Sequence, residues 1–376
     1  MARVCSTERY LPGAGLFRRG SRPGIEGIKM KRLILFVAVA LAFTAAGVRS
    51  QTKAKVPAPK KGAVSVSDLV LQGKIPEAVK LAAKSPLVAE GALNSLFAAA
   101  DTQIALRDLS KAQETLDSAQ KFADACDKTG RIKDIPRDAL KGRQLRLQGI
   151  QLSDQKDFAK AEAFLRQALQ ISKEAKDPSL EAGVHNNLGY ALRNMNLLEE
   201  AAREFETARL LAEEQKDDLR AGSYNFNLGE VLNQLKRLDA AMEAFKRSAE
   251  QNKAASRPNI QAKAVFMQAV VADKLHSNTD ESLKLFQEAE SMFEKLGDDP
   301  NVGWCYFLMG EHVAYTMDFR KAADFAEKGL PFFVKAADKA GLLRSYEFLT
   351  DMHGRLGNTQ KAEAYKKQAA DLSIKK

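Results

Sequence analysis

Small and apolar residues recur along this chain with a fixed period. Gly149, Gly189, Gly229 and Ala269 stand 40 residues apart, Gly310 follows after 41 and Thr350 after a further 40. Bulkier residues lie four before, one before and three after these anchors: Leu145, Gln148 and Leu152 around Gly149; His185, Leu188 and Leu192 around Gly189; Tyr306, Met309 and Val313 around Gly310. Those offsets share one face of an α-helix.

A second helical pattern starts twelve residues after each anchor, thirteen after Ala269, with a small residue, a bulky one four later and a small one three later. Its instances are Ala161, Leu165, Ala168; Ala201, Phe205, Ala208; Ala241, Phe245, Ser248; Ser282, Phe286, Ala289; Ala322, Ala326, Gly329; and Ala362, Lys366, Ala369. Small residues let two backbones approach, and bulky ones fill the groove between pairs. A unit of this kind buries its faces only against its neighbours. The segments KDPS (176–179), KDDL (216–219), SRPN (256–259) and GDDPN (297–301) stop one helix and start the next. No stretch of the array alternates with the two-residue period of a strand, so it reads as all helical.

These motifs, clearest at NNLGYALRNMNLLEEAAREFETA (186–208) and FNLGEVLNQLKRLDAAMEAFKRSA (226–249), resemble the tetratricopeptide repeat family over about residues 138–374. Two departures are visible: the period is 40 rather than about 34, which resembles the long-repeat branch, and Thr350 and Lys366 lose consensus residues. The resemblance implies an all-α, right-handed superhelical solenoid of antiparallel helix pairs, about seven units with one concave face lined by the first helix of each. A weaker unit with Ala112, Leu116 and Ala119 precedes the array, and residues 69–85 resemble a lone second helix. The 49-residue step from Ala112 to Ala161 makes Lys128–Pro136 a longer loop.

Charge separates the leader from the array. The 376 residues carry a formal net charge of +10. Residues 1–50 hold nine Lys/Arg and two Asp/Glu, and 51–65 add Lys53, Lys55, Lys60 and Lys61; subtraction from the totals of 58 and 48 leaves 45 basic and 46 acidic residues from 66 onward. A neutral array argues against nucleic acid as the partner. From Met30 the chain reads as a secretory signal: Lys31 and Arg32, an apolar run Leu33–Ala46, then small residues with a cut expected between Ser50 and Gln51. That run of 14 is short for a bilayer span of about 20 residues. The expected layout is an N-terminal extension 1–29 that makes Met30 an alternative start, a signal 30–50, a Pro/Lys/Ala linker 51–65 and the repeat domain 66–376. The alternative is an uncleaved anchor at 33–46.

Candidate chemistry is sparse. Cys126 and Cys305 lie 179 residues apart on helical patterns and read as core, and His312 and His353 stand in successive first helices. No phosphate-cradling loop, nucleophile with an orienting base, cofactor site or metal site emerges, which points to a non-enzymatic scaffold without a small-molecule cofactor. The expected partner is a protein or extended peptide, within a membrane or envelope assembly.

In the resembled family the residues flanking the anchors face the groove. Here these are Asn186, Tyr190, Arg193 and Asn194; Phe226, Glu230 and Asn233; Phe266; and Phe307. Asparagine amides both donate and accept, so Asn186, Asn194 and Asn233 suit the backbone of an extended peptide. The Phe226, Phe266, Phe307 row reads either as a receptor for apolar side chains or as inter-helix core.

Overall fold

The chain divides into Met1–Lys55 and Val56–Lys376. The computed structural model describes residues 65–84, 86–129, 136–275 and 280–374, all within the second unit. The expected signal, its expected Ser50–Gln51 cut and most of the linker lie outside the described residues.

Sixteen helices and no strand occur among the described residues. The first four are α1 (Val66–Leu71), α2 (Ile75–Ala82), α3 (Pro86–Ala105) and α4 (Leu109–Thr129). Then come α5 (Arg137–Asp154), α6 (Phe158–Glu174), α7 (Pro178–Asn194), α8 (Leu198–Glu214), α9 (Asp218–Gln234) and α10 (Leu238–Ala254). The last six are α11 (Pro258–Leu275), α12 (Asp280–Leu296), α13 (Asp299–Ala314), α14 (Phe319–Ala336), α15 (Lys339–Arg355) and α16 (Thr359–Ile374). Each packs on the next in the chain, giving a solenoid of consecutive helix pairs. The segment at 69–85 is more than a lone second helix: α1 and α2 form a short pair, capped by Ser65 and Asp68 in a reciprocal box. The count is therefore eight pairs rather than about seven.

The turns explain the period. Lys156, Lys176, Asn196, Lys216, Lys236 and Ser256 all have positive φ and follow one another every 20 residues. Each closes the preceding helix with two backbone bonds: Lys216 N–H donates to Glu213 and Asp217 N–H to Ala212, as Lys236 does to Asn233 and Arg237 to Leu232. This is the Schellman arrangement. The residue after the left-handed one then starts the next helix, and at Asp157, Asp177, Asp217, Asp318 and Asp338 its side chain accepts an N–H of the first turn. A 17-residue helix plus three such residues makes 20, and two make the 40-residue repeat.

Where the anchor is glycine, it makes room that a side chain would fill. A β-carbon built on Gly189 would lie 2.9 Å from the Phe205 ring, and one on Gly229 2.7 Å from the Phe245 ring. The buried Phe205, Phe245, Phe286 and Phe293 thus sit directly under first-helix backbone or its small residues.

Candidate functional site

The positions three before, one after and four after each anchor share one side of the first helices, and the sequence-predicted residues stand at these positions or, for Asn194, one residue further along. Several of them are bonded across repeats. Arg193 on α7 donates to Glu230 on α9, and its guanidinium stands 5.3 Å from the Tyr190 ring. Asn186 accepts from Asn227 Nδ2 at 2.8 Å. Asn233 is buried and accepts from Lys274 Nζ at 2.9 Å. Asn194 turns back on its own helix, donating to the Tyr190 carbonyl at 2.7 Å. These amides are therefore engaged internally, a pairing that the sequence reading did not include.

The phenylalanine row does not form one exposed strip. Phe307 is only 3% exposed, packed edge-on against Trp304 and Phe348, so the structure places it in the core. Phe226 and Phe266 are half-buried, edge-on against Phe245 and against Phe286 and Phe293. They present part of each ring on the face. Tyr190 is the exposed aromatic among the expected residues, at 37%. Trp304 is buried and donates to Asp338 Oδ2 at 3.1 Å, fixing α13 to the start of α15.

At α5 the same face is closed. Arg143 and Arg146 are each 3% exposed and converge on Asp101 of α3, 4% exposed, at 3.0 and 2.8 Å. Arg143 also reaches Asp177 Oδ2 at 2.6 Å and lies over the Phe97 ring at 4.6 Å; Arg146 donates to Asn187 at 2.8 Å. Further along, Arg220 donates to Ser179 and Asp217, so buried polar bonds link α3, α5, α7 and α9. Sequence reasoning missed Asp101, whose only signal is its place one residue after the small residue twelve before Ala112.

The histidines stay apart in role. His312 bonds Asp273 at 2.5 Å and Ser282 at 3.2 Å, while His353 bonds Glu327 at 3.0 Å and stacks on Tyr365. No group of three or more potential metal ligands occurs among the described residues. Cys126 and Cys305 are free and buried, and burial pushes the Cys126 thiol up to about 11, which keeps it protonated and unreactive at neutral pH. No described helix is long and apolar enough to cross a membrane.

Comparison with known proteins agrees with this architecture. A family model described as tetratricopeptide repeat matches residues 222–254. No curated protein matches the sequence. Among solved structures, a signal-transduction ATPase with numerous domains and a tetratricopeptide repeat sensor, from Pyrococcus horikoshii, aligns with a TM-score of 0.57 at 15% identity, over 82% of this chain and 45% of that one. NprR in complex with its cognate peptide NprX aligns with a TM-score of 0.52 at 12% identity, over 76% of this chain and 80% of that one. At such identities the likeness is one of fold.

Proposed function

We propose that this solenoid of helix pairs, matched by a tetratricopeptide repeat model at residues 222–254, is an exported, non-enzymatic scaffold that holds a protein or extended peptide on the concave face of its first helices. The observation that carries this reading is the face itself. From α7 to α13 it offers the exposed Tyr190 and the half-buried Phe226, Phe266 and Val270 between polar residues already braced by cross-repeat bonds. Braced side chains lose little freedom when a ligand arrives, so less binding energy goes into ordering them. NprR's capture of its peptide is a precedent within the same fold. Export rests on the Met30–Ser50 leader, and the net charge of −1 beyond residue 65 speaks against a phosphate backbone as partner.

Two measurements test it. Terminal peptide mass spectrometry with cell fractionation should find a soluble chain beginning near Gln51; a full-length cytoplasmic chain would remove export. An immobilised peptide array should be bound by the native protein and lose signal on Tyr190→Ser and Phe266→Ser with helicity retained. Absence of any peptide signal would remove the groove reading. A second reading, a membrane-tethered scaffold that self-associates, draws on the Leu33–Ala46 run and predicts that segment retained in the membrane fraction. The outward residues of α16, such as Lys361, Lys366 and Asp371, are exposed and polar, which suits a terminal cap more than an end-to-end joint.

A further inference from the structure

One position of the repeat, the residue directly after each anchor, is a carboxylate in four units: Asp101, Glu230, Glu311 and Asp351. Three of them hold an arginine of this chain. Asp101 takes Arg143 and Arg146, Glu230 takes Arg193, and Asp351 takes Arg355 at 2.9 Å. Glu311 is half-buried on α13 and has no hydrogen bond or ion pair among the described residues.

The repeat makes the reason legible. The two arginines on Asp101 come from six and three residues before the next anchor; the equivalents beside Glu311 are Arg344 and Glu347. Arg344 lies over the Trp304 ring, 6.0 Å from its centroid, and Glu347 is exposed and carries the wrong sign. Arg193 on Glu230 comes from four after the preceding anchor; the equivalent beside Glu311 is Asp273, itself engaged by His312. Where Glu230 and Asp101 bond cations directly, Glu311 has Asp273 and Arg344 in its surroundings but forms no ion pair with Arg344, whose guanidinium lies toward the Trp304 ring. Burial pushes the Glu311 carboxyl up, Arg344 opposes this and Asp273 adds to it. A partly desolvated carboxylate that accepts no hydrogen bond from a cation of its own chain is stabilised by an incoming cation that brings its own hydrogen-bond donors.

We propose that Glu311 is the receptor for an arginine or lysine side chain of the bound peptide, the partner's cation standing where Arg143 and Arg146 stand on Asp101. This rests on the peptide-binding reading of the same face. Flanking apolar surface for the rest of the peptide comes from Phe266, Val270 and the 70% exposed Tyr315, one turn beyond Glu311.

The test is a positional-scanning array of decapeptide pools, each fixing one residue type at one position, probed with the full chain and its variants. Pools fixing arginine or lysine should exceed alanine pools by about tenfold, the scale of one charge-assisted bond. Glu311→Gln should erase that preference while leaving total binding to apolar pools, and Glu311→Arg should move it to pools fixing aspartate or glutamate. Glu347→Gln, on a side chain already in solvent, should leave the preference in place. Binding without a basic preference, or a preference that survives Glu311→Gln, overturns the assignment and leaves the peptide reading standing. Silence from every pool overturns both.

Discussion

Arg193 and Glu230 form an ion pair between two consecutive first helices, each side chain 17% exposed, with the guanidinium also over Tyr190. Two residues that a sequence reading assigns to a ligand are thus each other's partner. The pair does more than close a gap: it sets the distance between α7 and α9 on the face that a peptide would cross. With Asn186–Asn227, Asn233–Lys274 and Asp273–His312 it makes a ladder along that face. A peptide on this face would meet a pre-arranged surface in which most polar groups are paired, so discrimination would fall to those that are not.

Breaking the Arg193–Glu230 pair from one side leaves the other charge in a mostly desolvated site. Arg193→Met and Glu230→Gln should each cost about 1–3 kcal/mol, and the double variant less than their sum, with a coupling of about 1 kcal/mol. Urea unfolding of the four chains of the cycle checks this. Strict additivity would mean that the pair contributes nothing.

The glycine anchors should tolerate no side chain. The β-carbon of alanine at Gly229 would stand 2.7 Å from the Phe245 ring, and the ring is itself wedged edge-on against Phe226. Gly229→Ala should therefore destabilise by about 1–3 kcal/mol through overpacking. Combining it with Phe245→Leu should restore part of the loss, measured by thermal unfolding, because the smaller side chain gives the methyl room. Phe307→Ala, in contrast, should cost about 3–5 kcal/mol as a buried truncation. A mere loss of peptide binding with unchanged stability would return Phe307 to the groove.

How far the molecule could be read from its residues follows from the same contacts. The period, the two helices per unit and the turns are legible because Gly189, Phe205 and the KDPS and KDDL segments answer to local rules: close backbone approach, helix spacing and capping. The α1–α2 pair was legible only in its second half, since Val66–Leu71 is too short to display a helical period. The state of the candidate site was not legible. Whether Asn233 faces solvent or Lys274, or whether Phe307 is in or out, depends on the step between successive pairs, and residues 41 apart reveal no step until both are placed. The burial of Arg146, which shares the offset of Asn186 and Phe226 from its anchor, is hidden for the same reason: its partner Asp101 lies 45 residues upstream, across an irregular spacing.

Left-handed lysines in the turns leave stability unrealised. Lys216 and Lys236 have φ of 56° and 57° and are exposed. A β-carbon in that conformation costs about 1–2 kcal/mol, partly offset by the greater chain entropy of glycine. Lys216→Gly and Lys236→Gly should each therefore raise stability by about 0.5–1 kcal/mol, additively, in urea unfolding. The turns after α12 and α15 already use glycine, Gly297 and Gly357, with φ of 67° and 73°.

Asp177 and Glu311 should push the acid stability of the chain in opposite senses. Burial works to raise the Asp177 carboxyl, but the Arg143 charge and hydrogen bond outweigh it and hold it below its ordinary 3.8. A lowered folded value contributes stability above the unfolded value, lost as pH falls through the folded one. Glu311, raised above 4.5, contributes at low pH and loses that contribution as pH rises through its folded value. Glu311→Gln should accordingly raise the melting temperature at pH 7 and lose that advantage near pH 4, whereas Asp177→Asn should lower it at pH 7 with a shrinking deficit below pH 4. Parallel pH profiles of the two variants would contradict the assignment.

Asp101 should be the most sensitive polar position in the chain. Its carboxylate is the shared partner of two guanidiniums that are as buried as it is, and Ser179 Oγ reaches it as well at 3.4 Å. Removing it weakens the pairing of one cation and strands the other: Arg143 keeps Asp177 and the Phe97 ring, but Arg146 keeps no carboxylate and its one remaining side-chain hydrogen bond among the described residues is to Asn187. Asp101→Ala should cost about 3–5 kcal/mol. Since Asp101 ties α3 to α5, hydrogen exchange should accelerate first in α3 and α4, while α9–α16 keep their protection, as expected of a solenoid whose units contact mainly neighbours. Combining Asp101→Leu with Arg146→Met removes the stranded charge while Arg143 keeps Asp177, and should recover much of that loss. Equal loss of protection along the entire array in Asp101→Ala would instead make the network a global determinant of folding and remove its local role at the α3–α5 junction.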